Sequence, residues 1–92
     1  MSRRRVHALV HGRVQGVFFR DYTRNRAEEL GLQGWVRNRP DRSVETVFEG
    51  EKEKVADMLT WLHNGSPMSE VTGVDVRDEE PLGETGGFAI RY

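Results

Sequence analysis

The chain has 92 residues, no cysteine and a formal net charge of −1, with 32% of its residues charged and 36% hydrophobic. This length bounds it to a single domain, residues 1–92, with one modest core, because a chain of this size buries only a little over ~60% of its unfolded surface. The missing cysteines exclude disulfides, thiolate catalysis and cysteine-held metals; no apolar stretch approaches the ~18 residues of a membrane span, and no apolar signal core follows the basic start Met1 to Arg5, so a soluble, cytoplasmic protein is expected.

Val6 to His11 is a β-type apolar run and suits a largely buried strand. Gly12 to Phe19 is a turn punctuated by glycines. From Arg20 to Leu30 a helix is predicted, with Phe19, Thr23, Ala27 and Leu30 at helical spacing. Gly31 fits its left-handed cap, with Leu32 folding back on the last turn. Trp35 to Asn38 reads as a strand, Arg39-Pro40-Asp41-Arg42 as a turn, and Val44 to Glu49 as the returning strand of a hairpin. Val55, Met58, Leu59 and Leu62 then fall at i, i+3, i+4 and i+7, an amphipathic helix ended by Asn64-Gly65-Ser66-Pro67. Val71 to Val76 predicts a strand, Asp78 to Gly87 an acidic, glycine-rich loop, and Phe88 to Tyr92 a final strand. The order β-α-β-β-α-β plus a short extra C-terminal strand predicts an α+β sandwich of ferredoxin-like type: an antiparallel sheet with both helices on one face.

The turn before the first helix carries the chemistry. A cation in the first turn of a helix faces the positive end of the dipole, which is unfavourable by itself. An anion held between Arg20 and the turn's N–H groups reverses that sign. Glycines let successive N–H groups face one point as an anion nest, and the arginine fork matches two phosphate oxygens. The competing reading is an ordinary strand-to-helix turn with Arg20 in solvent, paired with Asp21 or a later acid. Asn38 also has two readings. It is a good turn residue, or its amide, both donor and acceptor, holds a water by both ends.

Val10, Gly12, Val14-Gln15-Gly16-Val17, Phe19 and Arg20, followed by Gly34-Trp35-Val36-Arg37-Asn38 and then Val44 and Gly50, closely resemble the acylphosphatase family. The Ala27, Leu30-Gly31-Leu32, Gly34 link and the Phe88, Ile90-Arg91-Tyr92 ending extend the likeness across essentially the whole chain. The resemblance implies a hydrolase that cleaves acyl phosphates to a carboxylate and inorganic phosphate, without metal or organic cofactor. It implies that Arg20 binds the phosphoryl group with the backbone N–H groups of Gln15, Gly16, Val17, Phe18 and Phe19. It also implies that Asn38 positions the attacking water. Small acyl phosphates are then the partners, with inorganic phosphate or sulfate as competing anions. One position departs: the family usually has glycine four residues after the asparagine, where this chain has Arg42. If the turn stays left-handed there, the side chain costs roughly 1–2 kcal/mol.

Such sparse machinery suits the reaction. The leaving carboxylate is stable unprotonated, its acid having a pKa near ~4, so no general acid is needed. Phosphoryl transfer through a loose transition state asks mainly for positioning and charge stabilisation. The histidines offer no rival site, because His7 and His11 lie ~13 Å apart on a strand, too far to share a metal. Trp35, Trp61 and Phe48 read as core. Residues 1–42 carry ten arginines against four acids, and residues 43–92 four cations against eleven acids, so the halves stand at +6 and −7. That asymmetry raises an RNA-binding module as the alternative. Against it, Val6 to Val10 has no aromatic, the second half is acidic, and the expectation is no nucleic acid, no membrane and a monomer. Phosphate sensing without turnover is a third reading.

Overall fold

Alternating apolar residues form the strands, and apolar residues at helical spacing form the helices that cover them. In chain order the elements are β1 (Arg3–Arg13), α1 (Phe19–Glu29), β2 (Gln33–Asn38), β3 (Val44–Glu51), α2 (Lys52–Asn64), β4 (Glu70–Glu79) and β5 (Phe88–Arg91). They are taken from a computed structural model that describes residues 2–92, with Met1 outside it. One sheet runs in the order β4-β1-β3-β2-β5. The expected ferredoxin-like α+β architecture is therefore present. Three of the four pairings are antiparallel, as expected, but β2 pairs with β5 in parallel, so the sheet is mixed. That parallel pairing follows from a long return: the chain crosses the sheet after β4 through residues 80–87 before adding β5 at the far edge.

Val6, Ala8 and Val10 of β1, Val44 and Phe48 of β3 and Val36 of β2 join Phe19, Ala27, Val55, Met58 and Leu62 of the helices in one buried cluster. Helix α1 ends as anticipated. The Gly31 N–H donates to Glu28 O at 3.1 Å and the Leu32 N–H to Ala27 O at 2.9 Å, the paired bonds of a Schellman motif. Leu32 is buried behind it.

Strand ends and one aromatic depart from expectation. Strand β1 extends beyond Val6–His11 at both ends, and β4 continues through Asp78 and Glu79, which were expected in a loop. Opposite charges accompany the N-terminal extension of β1 and the extension of β4: Arg4 pairs with Asp78 at 2.8 Å and Arg5 with Glu79 at 3.0 Å across the β1–β4 ladder. Trp35 is not core. It occupies an odd position of β2, out of register with buried Gly34 and Val36, and the Arg37 and Arg91 guanidiniums stand 5.6 and 4.5 Å from its ring centre. Trp61 and Phe48 do pack in or against the core.

Candidate functional site

The site is assembled where β1 gives way to α1 and where β2 turns into β3. At its approach the β1–β4 register shifts between His11 and Gly12. Gly12 has φ 118°, and a side chain there would collide with the Glu70 carbonyl oxygen. This bulge shifts the ladder, which continues only through Arg13, and the following residues curl away from it.

In the curled segment Gly16 has φ 75° and Phe18 has φ 59°, both left-handed, with Val17 between them. A backbone that changes hand in this way presents neighbouring N–H groups on one side. No main-chain carbonyl, among the described residues, accepts from the N–H groups of Gln15, Gly16, Val17, Phe18 or Phe19. Phe18 is also the N-cap of α1 and supplies no side-chain acceptor. N-caps are commonly Ser, Thr, Asp or Asn, which satisfy first-turn donors. Here those donors are left to something other than the cap.

Arg20 is the second residue of α1. No carboxylate lies within ion-pair distance of it among the described residues, and the neighbouring Asp21 lies 3.8 Å from Arg24 instead. The Arg20 guanidinium donates to Arg91 O at 3.4 Å and lies 4.8 Å from the centre of the Tyr92 ring. Asn38 closes β2, and its Oδ1 is buried without a hydrogen-bond partner. Gly16, Phe18, Phe19, Arg20, Asp21 and Asn38 together line a cleft of about 270 Å³.

The hairpin beyond Asn38 keeps its left-handed turn. Arg39 N–H donates to Ser43 O at 2.9 Å and Arg42 N–H to Arg39 O at 3.0 Å. Arg42 itself sits at φ 76°. This is a β-turn followed by a left-handed residue, the arrangement of a bulged three-residue hairpin loop. Asp41 Oδ1 accepts from both the Ser43 N–H and hydroxyl, which holds its carboxyl below the usual range.

Of the sequence-selected residues, Gly16, Phe18, Phe19, Arg20 and Asn38 therefore share one cleft. Gln15 and Val17 do not line it. Val17 is buried and its carbonyl accepts from the Ser66 hydroxyl at 3.4 Å. The Gln15 side chain reaches the hairpin instead, donating to Arg39 O at 2.9 Å and Ser43 O at 2.8 Å. The family resemblance implies only a main-chain role for Gln15, and this side-chain link lies outside it. Its signal was an amide set among apolar and glycine residues. The left-handed Phe18 has no sequence signal at all.

No three His, Asp or Glu side chains gather as a metal site would require, among the described residues. His7 bonds to Glu45 at 2.6 Å and His11 to Asp75 at 2.9 Å, on opposite neighbouring strands. No helix among the described residues is long and apolar enough to cross a membrane.

The chain matches the family model described as Acylphosphatase over residues 6–90. It is 54% identical over 88 residues to an acylphosphatase of Rubrobacter xylanophilus, covering 96% of this chain and 80% of that one. It is 53% identical over 92 residues to an acylphosphatase of Syntrophobacter fumaroxidans, covering 100% and 95% of the two. Among solved structures, the acylphosphatase from Bacillus subtilis is similar with a TM-score of 0.92 at 37% identity, covering 97% of this chain and 99% of that one.

Proposed function

The chain belongs to the acylphosphatase family, hydrolases of acyl phosphates, and on that premise we propose that Arg20, the N–H groups of residues 15–19 and Asn38 carry out that hydrolysis in the cleft. The observation that supports this most is the coincidence, in one small space, of three polar groups that lack a strong partner. They are an uncapped helix start, a guanidinium with no carboxylate, and a buried amide oxygen with no partner. A phosphoryl group and a water are what those groups lack.

Arg20 donates to two phosphoryl oxygens and the loop amides to the third, so charge is stabilised as the transition state forms. Asn38 Oδ1 accepts from one O–H of a water, which holds that water's lone pair toward phosphorus. The water attacks in line, and the bond from phosphorus to the acyl oxygen breaks. The carboxylate leaves unprotonated. Asparagine is too weak a base to take the water's proton, so a phosphoryl oxygen takes it. Inorganic phosphate and sulfate compete for the same donors. The RNA-binding reading has weaker support: on the face away from the helices β1 and β3 place His7, Leu9 and Glu45, and the aromatic of the interior strand β2, Trp35, is covered by the Arg37 and Arg91 guanidiniums rather than left open as a stacking platform.

Benzoyl phosphate hydrolysis, with phosphate as inhibitor, tests each role. Arg20→Gln lowers kcat/KM by at least ~10² to 10³ and weakens phosphate inhibition. Asn38→Ala lowers kcat on the same scale while the phosphate Ki holds. Wild-type turnover by Asn38→Ala overturns the water-positioning role. Turnover persists in EDTA, and its loss there would mean a metal takes part.

A further inference from the structure

The two walls of the cleft belong to different parts of the chain, and one side chain joins them. Arg39 and Ser43 face each other at the root of the hairpin loop, immediately beyond Asn38 and Val44, the last registered pair of β2 and β3. The Gln15 amide donates to the carbonyls of both. A primary amide has two N–H donors, and here both are used. The hairpin root is thereby fixed to the β1–α1 loop in two directions. Asp41 bonds within the turn to Ser43 and adds nothing across the cleft. The same turn carries the left-handed Arg42, so it has reason to shift if released.

We propose that Gln15 is a positioning residue, whose side-chain amide sets the separation between the phosphoryl-binding loop and the amide of Asn38. The proposal rests on the water-orienting role of Asn38. A displacement of ~1 Å in a reacting group costs on the order of 10²-fold in rate. A link between the walls therefore acts on kcat far more than on anion binding, which needs only the loop and Arg20.

The test is a double-mutant cycle on benzoyl phosphate hydrolysis, with phosphate Ki measured for every variant. In Gln15→Met kcat falls ~10- to 100-fold and phosphate Ki changes little. Added to Asn38→Ala, the same substitution costs little further rate, because the group it positions is gone. Three results overturn the proposal: an unchanged kcat in Gln15→Met, a loss of phosphate affinity matching the loss of rate, or full multiplication of the two single effects. Wild-type turnover by Asn38→Ala instead overturns the Asn38 reading, and is read from that single variant alone. Gln15→Glu covers the case in which Gln15→Met fails to fold. It keeps the size of the side chain and loses both donors as a carboxylate, but regains one O–H donor when protonated. Its kcat relative to wild type recovers as pH falls through that titration. A flat ratio across pH overturns the proposal.

Discussion

Arg42 sits at φ 76° with its side chain exposed, so it adopts a glycine conformation without packing in return. The strain is roughly 1–2 kcal/mol. Glycine there would cost ~0.5–1 kcal/mol in unfolded-state freedom. Relief of strain is the larger effect, so Arg42→Gly is expected to stabilise by about 0.5–1 kcal/mol, raising Tm by ~2–8 °C in a domain of this size. A melting curve checks it, and an unchanged or lower Tm would mean the turn is not strained. The sequence alone does not say whether the turn stays left-handed at this position. The bond from Arg42 N–H to Arg39 O shows the turn kept. Bonds within the turn close it, and one further contact is not local. Gln15 grips Arg39 and Ser43 from a segment more than twenty residues away, and no window around Arg42 contains that contact.

Helix α1 is finished at one end and open at the other. Its C-terminus is closed by Gly31 and Leu32 through the motif their order predicted. Its N-terminus has an apolar, left-handed cap and an acid, Asp21, in the first turn on the wall of the cleft. Asp21 acts in two opposed directions. Toward the helix dipole a first-turn carboxylate contributes ~0.3–1 kcal/mol. Toward a bound dianion it repels, by ~0.5–1 kcal/mol at such exposure, or ~2- to 5-fold in affinity. Asp21→Asn is therefore expected to lower the phosphate Ki by that factor at low ionic strength while lowering Tm slightly. Weaker phosphate inhibition in the variant would place Asp21 outside the anion's field. Element identity was legible throughout because the apolar period of each segment is set by the face it buries. Element ends were less so. Arg3 to Arg5, Asp78 and Glu79 have no apolar period; they continue the backbone ladders of their neighbours, and each finds an opposite charge on the adjacent strand.

At the scale of the molecule the basic first half and acidic second half are neutralised by topology. Strand β1 lies between β3 and β4, so its cations meet the acids of both. Arg3 and Arg5 reach Glu49 at 3.0 and 3.3 Å, and Arg5 also reaches Glu79 and Glu84. Glu49 is fully buried, an unusual place for a carboxylate, and it also accepts from the Leu82 N–H at 2.9 Å and the Gly83 N–H at 2.7 Å. Those bonds tie the segment leading to β5 back to the middle of the sheet. Burial pushes the Glu49 pKa up, but the two backbone N–H groups and two arginines more than offset it and bring it down to about 2. The folded pKa lies below the ordinary value of 4.5, so the unfolded chain binds the proton more readily. The contribution of Glu49 is complete above about pH 4.5 and is lost as pH falls through about 2. Glu45, held low by His7 and Arg37 against its own burial, and Asp41 titrate in the same sense. Glu49→Gln keeps the shape but leaves Arg3 and Arg5 facing a neutral group. Breaking a buried pair from one side costs on the order of 3 kcal/mol, tempered here because Arg5 retains Glu79 and Glu84. Denaturant melts across pH should therefore show a large gap between wild type and variant at pH 7 that narrows steadily below about pH 4. A gap that stays constant down to pH 2 would mean that Glu49 acts through its shape and its two backbone bonds, with its charge contributing nothing to the fold.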